Sequence, residues 1–446
     1  MSNYLFFVFL FVPILVGAQQ RTPEQDSLIA QTVRKSKADH AYMLHQLSIK
    51  ELRPGRSGNP NGINPANYEE SEANPFPNLP DLLTLNNGEK VSTPKQWINL
   101  RRPEIENLFN EEIYGITPKN LPAVNWVLLK SNPEKLGNYD VNVLTYSGQV
   151  ANDTYPSISV TIDLTITLPA LQAQPVPVVM EFAFVFPPGF NPPPSNEISW
   201  KEQVIAKGWG AAVIIPTSYQ ADNGAGLTEG IIGLINQGKR RSPSDWGTLK
   251  AWGWGASKAL DLMETIPQIN AEKVAIMGHS RFGKAAAVTM AYDSRFAIAY
   301  IASSGEGGLK LHRRDFGEIV ENIAGPGLYH WMSGSFLNYA GPKGWDDLPI
   351  DAHSLISLIA PRPFFIGVGA NGDNWTDPKG MFMAAAAAEP VYQLLGKIGI
   401  GISAFPAVEE LIDLGEIGFR LHPKGHVTGP NWPYFIEFMS KKLDLE

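Results

Sequence analysis

A serine lies between two glycines in "AIMGHSRFGKAA", residues 275–286, where an apolar run stops and a small-residue helical pattern starts. A sharp turn at that point needs small neighbours so that the backbone can bend and lift the Ser280 hydroxyl outward, and Gly278 and Gly283 provide them. The spacing is G-x-S-x-x-G, one residue longer than the nucleophile elbow G-x-S-x-G. Glycine and serine are common in any strand-to-helix turn, so the motif alone leaves both a nucleophile and an ordinary turn serine open. A serine hydroxyl attacks an ester only when a base takes its proton and a third group orients that base.

Serine hydrolases built on α/β sheets carry these groups in the order Ser, then Asp or Glu, then His. The late segment "FRLHPKGHVTGPNWPYF" contains His422 and His426. His426, in a glycine-containing loop, suits the base, whereas His422 at a strand end reads as structural. Their i, i+4 spacing would hold a metal only on a helix, and Pro423 and Gly425 argue against one, so no metal is expected. For the acid, "FFIGVGANGDNWTDPKG" offers Asp373 and Asp377 after a strand. Asp377 precedes Pro378 and reads as a helix cap, which leaves Asp373 to orient His426 or to serve as a plain turn aspartate. The backbone N–H of Arg281 adjoins the serine and is the first oxyanion donor; its guanidinium adds a second. Lys284, one turn on, reaches the same mouth, although both cations also read as solvated surface charges.

These residues need a frame. Between Ala123 and Val185, "VNWVLLK", "YDVNVLTY", "ISVTIDLTITL" and "VPVVMEFAFVF" alternate or run apolar, which predicts strands, the first an antiparallel flank and the last buried on both faces. Beyond Phe186 strands and helices alternate: "GAAVIIP", "KVAIMG", "FAIAYIASS" and "RPFFIGVGA" as strands, "DWGTLKAWGWGASKALDLMET", "GKAAAVTMAY" and "NWPYFIEFMSKKL" as helices. The expected architecture is a doubly wound, mostly parallel α/β sheet with antiparallel N-terminal strands, in three layers, with Ser280 at the carboxyl rim where sites are built. Another helix is predicted over Pro94–Tyr114, with Trp97, Ile98, Ile105, Leu108 and Phe109 on one face. The Ala384–Ala388 run reads as a packed helix face.

At 446 residues with 44% hydrophobic content the chain buries a large core and is not disordered. Residues 1–18 read as a signal peptide, apolar from Tyr4 to Val16 with a small-residue cleavage site at Val16-Gly17-Ala18, so a secreted or periplasmic protein starting near Gln19 is expected. The stretch has no Lys or Arg at its start, which leaves a lipid anchor or an uncleaved segment open, and it is short for a membrane span. Residues 19–75 are polar, ending in a Pro/Asn/Gly-rich stretch, and read as an exposed leader ahead of a catalytic domain over 76–446. The absence of cysteine excludes disulfides and thiolate chemistry, and a net charge of -8 argues against nucleic-acid or anionic-membrane partners.

With "GHSRFGK" joined to the tryptophan-rich helix segment, "GANGDNWTDPKG" and "HPKGHVTGPNW", the chain resembles the glucuronoyl esterases, carbohydrate esterase family 15, from about Leu79 to its end. The resemblance implies an α/β-hydrolase fold and cleavage of the ester between (4-O-methyl)glucuronic acid on xylan and a lignin alcohol, without cofactor, by a monomer. It implies Ser280 as nucleophile, His426 as base, Arg281 as oxyanion donor, and Lys284, Trp375 and Glu318 as uronate-binding residues, with Glu321 the fallback for Glu318. His279 stands where the family pattern G-C-S-R has cysteine. Many members carry the acid at the start of E-S-G-x-G-G, where "SSGEGG" has Ser303. Asp373 fits the place of the aspartate that some bacterial relatives use, and Glu306 is the reserve acid. Two competing readings remain: an acetyl or feruloyl esterase with the same triad, and a glycan-binding protein that has lost efficient catalysis.

Overall fold

Runs of β-branched and aromatic residues place the strands where the side-chain alternation requires them. In the computed structural model, which describes residues 22–185 and 197–445, the strands are β1 (Val124–Leu136), β2 (Tyr139–Val150), β3 (Thr161–Pro169), β4 (Val176–Phe182), β5 (Gly210–Ile215), β6 (Ile269–His279), β7 (Ile298–Ala302), β8 (Phe364–Gly369), β9 (Leu411–Ile412) and β10 (Ile417–His422). They form one sheet in the order β1-β2-β3-β5-β4-β6-β7-β8-β10-β9. The β1–β3 meander and its junction with β5 are antiparallel. From β5 to β10 the pairings are parallel, and the two-residue β9 closes that edge antiparallel.

The period of two decides which layer each side chain joins. In β6, Val274 and Ile276 face the core under helices Thr248–Met263 and Arg281–Tyr292, while Ala275 and Met277 face the core under helix Trp432–Lys442. β7 splits the same way, with Ala299 and Ile301 on one side and Ile298 and Tyr300 on the other. Burial on both faces is why these strands read as unbroken apolar runs. The chain leaves β4 for β5 and returns past β4 to β6, so the direction of winding reverses there, and the crevice that this opens lies at the carboxyl end of β6, immediately before Ser280.

Two elements depart from the periodicity. Over Pro94–Glu112 the helix widens into a π turn at Trp97–Arg101, which shifts its phase. Pro103 has no N–H to give to the preceding turn. The buried series is therefore Trp97, Arg101, Ile105 and Phe109, and Ile98 is exposed. The polar leader contains a 24-residue helix, Pro23–Gln46, started by a capping box in which Thr22 and Gln25 exchange hydrogen bonds. It docks through polar groups: Ser36 Oγ accepts from Ala225 N at 3.0 Å, His40 Nε2 donates to the Ala324 carbonyl at 2.9 Å, and Tyr329 donates to Asp39 at 2.6 Å. The expected signal peptide, residues 1–18, lies outside the described residues. Among the described residues no helix is long and apolar enough to cross a membrane.

Candidate active site

β6 runs through His279, and helix Arg281–Tyr292 begins at Arg281, leaving Ser280 alone as the turn with φ 59° and ψ -125°. A non-glycine residue held there stores about 1–3 kcal/mol of backbone strain, which persists only where the surroundings fix it. They do so tightly. A Cβ at position 278 would lie 1.9 Å from the Phe282 carbonyl oxygen, and one at 283 would lie 2.6 Å from that of Ala302, so both flanking glycines are required by close backbone approach. Ser280 N also donates to the Ala302 carbonyl at 2.9 Å, which ties the turn to the end of β7.

His426 follows β10 in a short loop wound around His422. Nε2 of His422 donates to the Val427 carbonyl at 2.9 Å and its Nδ1 accepts from Lys424 N at 3.2 Å, so His422 is structural and holds the loop that presents His426. Nδ1 of His426 donates to Asp373 Oδ1 at 2.7 Å, while its Nε2 is buried and has no partner among the described residues. The His426 ring packs against His279, centroids 4.2 Å apart, and so lies beside the residue preceding Ser280. Burial, assisted by the adjacent His426, lowers the His279 imidazole to about 3. His279 is therefore neutral at ordinary pH and contributes packing in place of the family's cysteine, without adding charge.

Asp373 is buried and fully engaged. Its Oδ2 accepts from Ser303 Oγ at 2.6 Å and from Gly369 N at 2.9 Å, and Oδ1 accepts from Thr376 Oγ1 at 3.2 Å in addition to His426. Burial alone would raise this carboxyl, but the hydrogen bonds from His426, Ser303 and Gly369 outweigh it and hold it below its ordinary value. Ser303, standing where many relatives have their acid, thus supports the aspartate that holds His426. Asp377 caps helix Pro378–Ala387 through Gly380 N at 2.9 Å and pairs with Arg314 at 2.7 Å.

The structure separates Glu306 from this cluster. Glu306 is buried against Lys310, at 3.0 Å, and against His312. Burial would raise Glu306, yet the charges of Lys310 and His312 bring it down to about 2; burial would lower His312, yet Glu306 holds it above its ordinary value. The reserve acid is a structural ion-pair residue. The depressed carboxyl contributes stability that is present above about pH 4.5 and lost as pH falls through 2, and the raised imidazole contributes stability that is present below 6.5 and lost as pH rises through its folded value. Glu306→Gln is expected to destabilise the protein by about 3–5 kcal/mol, because it leaves a buried lysine unpaired. In thermal unfolding the gap between wild type and variant should be widest near pH 5–6 and shrink toward about pH 2; a gap that does not vary with pH would refute the pairing.

Around the serine, Arg281 reaches Asp222 at 2.5 Å, and Asp222 also accepts from His330 Nε2 at 2.9 Å and Trp331 Nε1 at 2.7 Å. Burial pushes the Asp222 carboxyl up, but the His330 hydrogen bond and the Arg281 charge prevail and keep it far below the carboxylate range. Arg281 Nε is left buried without a partner among the described residues, a donor free for another acceptor. Lys284 is buried, donating to Glu318 at 2.9 Å and to the Ser304 carbonyl at 2.6 Å. The Trp331 ring lies 5.7 Å from the Arg281 guanidinium and 5.6 Å from the Lys284 ammonium. Trp375 is half-buried on the turn after Asp373, and its carbonyl accepts from Glu318 N at 2.8 Å. Glu321 lies apart, paired with Arg53 at 2.8 Å, so Glu318 and not the fallback joins Lys284. Sequence reasoning missed Asp222, His330 and Trp331 and marked Ser303 only as the place of an absent acid, not as a partner of Asp373; of the missed residues only Asp222, in a loop shortly after a parallel strand, carried a positional signal.

Residues 239–396 match a family model described as "Glucuronyl esterase, fungi". The chain is 34% identical over 406 residues to carbohydrate esterase MZ0003 from an unknown prokaryotic organism, covering 83% of this chain and 91% of that one. It is 30% identical to a 4-O-methyl-glucuronoyl methylesterase of Hypocrea jecorina, covering 71% of this chain and 62% of the fungal one. Among solved structures, a CE15 glucuronoyl esterase from Teredinibacter turnerae T7901 superposes with a TM-score of 0.87 at 42% identity, covering 92% of this chain and all of its own.

Proposed function

Because the chain belongs to the glucuronoyl esterases, carbohydrate esterase family 15, we propose that Ser280, His426 and Asp373 form its catalytic triad and that Lys284, Glu318 and Trp375 bind the uronate. The activity is hydrolysis of glucuronic acid esters by a carboxylic ester hydrolase. The observation that carries the triad is the state of His426: one ring nitrogen is held by a buried carboxylate, and the other is buried, unpartnered and adjacent to the serine turn.

In the first half-reaction His426 Nε2 takes the Ser280 Oγ proton as Oγ attacks the uronate ester carbonyl. Asp373 keeps Nδ1 protonated and steadies the imidazolium. The developing oxyanion is met by the Arg281 backbone N–H, which has no acceptor within its own helix, and by the free Nε of the same residue. Asp222 fixes the guanidinium so that no reorganisation accompanies the charge. Collapse breaks the ester bond, and the alcohol leaves with the proton returned by His426. Water, deprotonated by the same nitrogen, then releases the uronate from Ser280. The substrate we propose is the ester joining (4-O-methyl)glucuronic acid of glucuronoxylan to a lignin alcohol. Residues 76–446 would form the catalytic domain of an exported protein, with the described part of the leader, residues 22–75, laid over it.

Lys284 and Glu318 offer a cation and a carboxylate for sugar hydroxyls, groups without purpose for an acetyl ester. Wild-type protein is therefore expected to cleave benzyl glucuronate with kcat/KM at least about 100-fold above that for 4-nitrophenyl acetate. Preference for the acetate would retain the serine hydrolase and discard the uronate; inertness toward both would favour a glycan-binding role.

A further inference from the structure

The pairing of β8 with β10 ends at Gly369 and His422, yet the two chains stay joined beyond the sheet. Ala370 N donates to the His422 carbonyl at 2.8 Å, and Asn371 N donates to the Lys424 carbonyl at 3.2 Å. Between them the Pro423 carbonyl accepts from the side-chain amide of Asn371, Nδ2, at 2.6 Å. Three successive carbonyls of the base loop are thus received by two residues of the acid loop, and Asn371 supplies two of the three donors. The chains lie so close that a Cβ on Gly369 would fall 2.3 Å from the Gly425 carbonyl oxygen, and one on Gly425 would fall 2.8 Å from that of Asn371. Asp373 follows Asn371 by two residues, as His426 follows Lys424.

The turn at Asn371-Gly372 does not account for this asparagine. In such a turn asparagine ordinarily adopts positive φ itself or bonds to the backbone beside it. Here Gly372, at φ 82°, takes the left-handed conformation, Asn371 does not, and its amide reaches a carbonyl 52 residues away. Burial does not account for it either, because Asn371 and Pro423 are both exposed. A hydrogen bond at the surface exchanges water partners for protein ones and adds little to global stability. Its effect falls on the relative placement of two short loops, one carrying the acid and the other the base. A misplacement of about 1 Å between catalytic groups can cost about 10²-fold in rate.

We infer that Asn371 is a positioning residue for the reaction: its side-chain amide ties the acid loop to the base loop and so keeps Asp373 Oδ1 on His426 Nδ1. The inference rests on the triad reading of Ser280, Asp373 and His426. It assigns Asn371 a part distinct from that of Ser303 and Thr376, which hold the Asp373 carboxylate itself, whereas Asn371 holds the loop of its partner.

The test uses the full chain with Asn371→Ala, which removes the donor, and Asn371→Asp, which keeps the shape and sets a carboxylate oxygen against the Pro423 carbonyl. On benzyl glucuronate both should lower kcat by about 10–100-fold, with KM and thermal unfolding close to wild type. In an Asp373→Asn background the same changes should cost less than about twofold, because residues that act as a unit do not lose their effects independently. Wild-type kcat in both variants, a loss confined to KM, or an equal loss in the two backgrounds would each overturn the assignment. A second readout does not need turnover. The proton on His426 Nδ1, held by Asp373, should give a low-field proton NMR signal in wild type, assigned by its absence from His426→Ala, and should broaden by exchange with water in both Asn371 variants. A signal as sharp as that of wild type in both would also overturn it. If benzyl glucuronate is not cleaved, or Asp373→Asn turns over like wild type, the triad reading fails by its own measurement, and the NMR signal still decides whether Asn371 holds the pair.

Discussion

Ser280→Ala is expected to lower kcat on benzyl glucuronate by about 10⁵–10⁶-fold and to leave thermal unfolding within a degree or two of wild type. The loss is large because in the proposed mechanism the hydroxyl oxygen forms the acyl-enzyme, and neither Arg281 nor His426 can replace it. The small effect on stability follows from the turn itself. Its φ of 59° is imposed by the close approach of Gly278 to Phe282 and of Gly283 to Ala302, and by the Ser280 N–Ala302 hydrogen bond, none of which involves the side chain. Alanine inherits the same strain. Residual cleavage above a few per cent of wild type would mean that another group attacks the ester, and the assignment of Ser280 would fall.

The parallel half of the sheet was legible because strands buried on both faces leave uninterrupted apolar runs, as in "KVAIMG" and "RPFFIGVGA". The leader helix was not. Its buried face is Ser36, Asp39, His40 and Met43, so it docks by hydrogen bonds to Ala225, Ala324 and Tyr329, and polar docking leaves no apolar stripe to read. The phase error over Pro94–Tyr114 has a local cause, since a π turn adds a residue that a fixed period cannot register. β9, two residues long and at the edge, carries too little pattern to be seen.

The site divides along a similar line. Ser280, Asp373 and His426 follow three separate parallel strands, β6, β8 and β10, so chain order and rim position together pointed to them. Asp222, His330 and Trp331 form one hydrogen-bonded unit under Arg281, but 108 residues separate Asp222 from His330, and no local spacing encodes that meeting. The tryptophan-rich helix contributes to it from below: Trp252 Nε1 donates to the Gln220 carbonyl at 2.9 Å and seats the loop that carries Asp222. The leader helix reaches the same unit through the Asp39–Tyr329 bond, one residue from His330. An element that reads as an exposed leader in the sequence therefore supports the platform of Arg281, the proposed oxyanion donor.

Asp373→Asn is expected to reduce kcat on benzyl glucuronate by about 10³–10⁴-fold with little change in KM, whereas Glu306→Gln, measured at a temperature where it is folded, should retain most of its turnover. The contrast follows from what each carboxylate touches. Asp373 holds His426 Nδ1 at 2.7 Å, and an amide at that position can offer its N–H, which favours the ring tautomer that cannot take a proton from Ser280. Glu306 meets only Lys310 and His312 among the groups that could make it catalytic, so its loss appears in stability. Ser303 sharpens the test, because its hydroxyl lies 2.6 Å from Asp373 Oδ2 at the position where many relatives keep their acid. A glutamate there would bring a carboxylate toward the same imidazole from the end of β7. Ser303→Glu added to Asp373→Ala should recover part of the lost turnover, while the same change beside an intact Asp373 should impair it through like-charge repulsion. Equal losses in Asp373→Asn and Glu306→Gln would instead show that the histidine takes its orientation from elsewhere, and the acid would have to be sought among groups that do not touch His426.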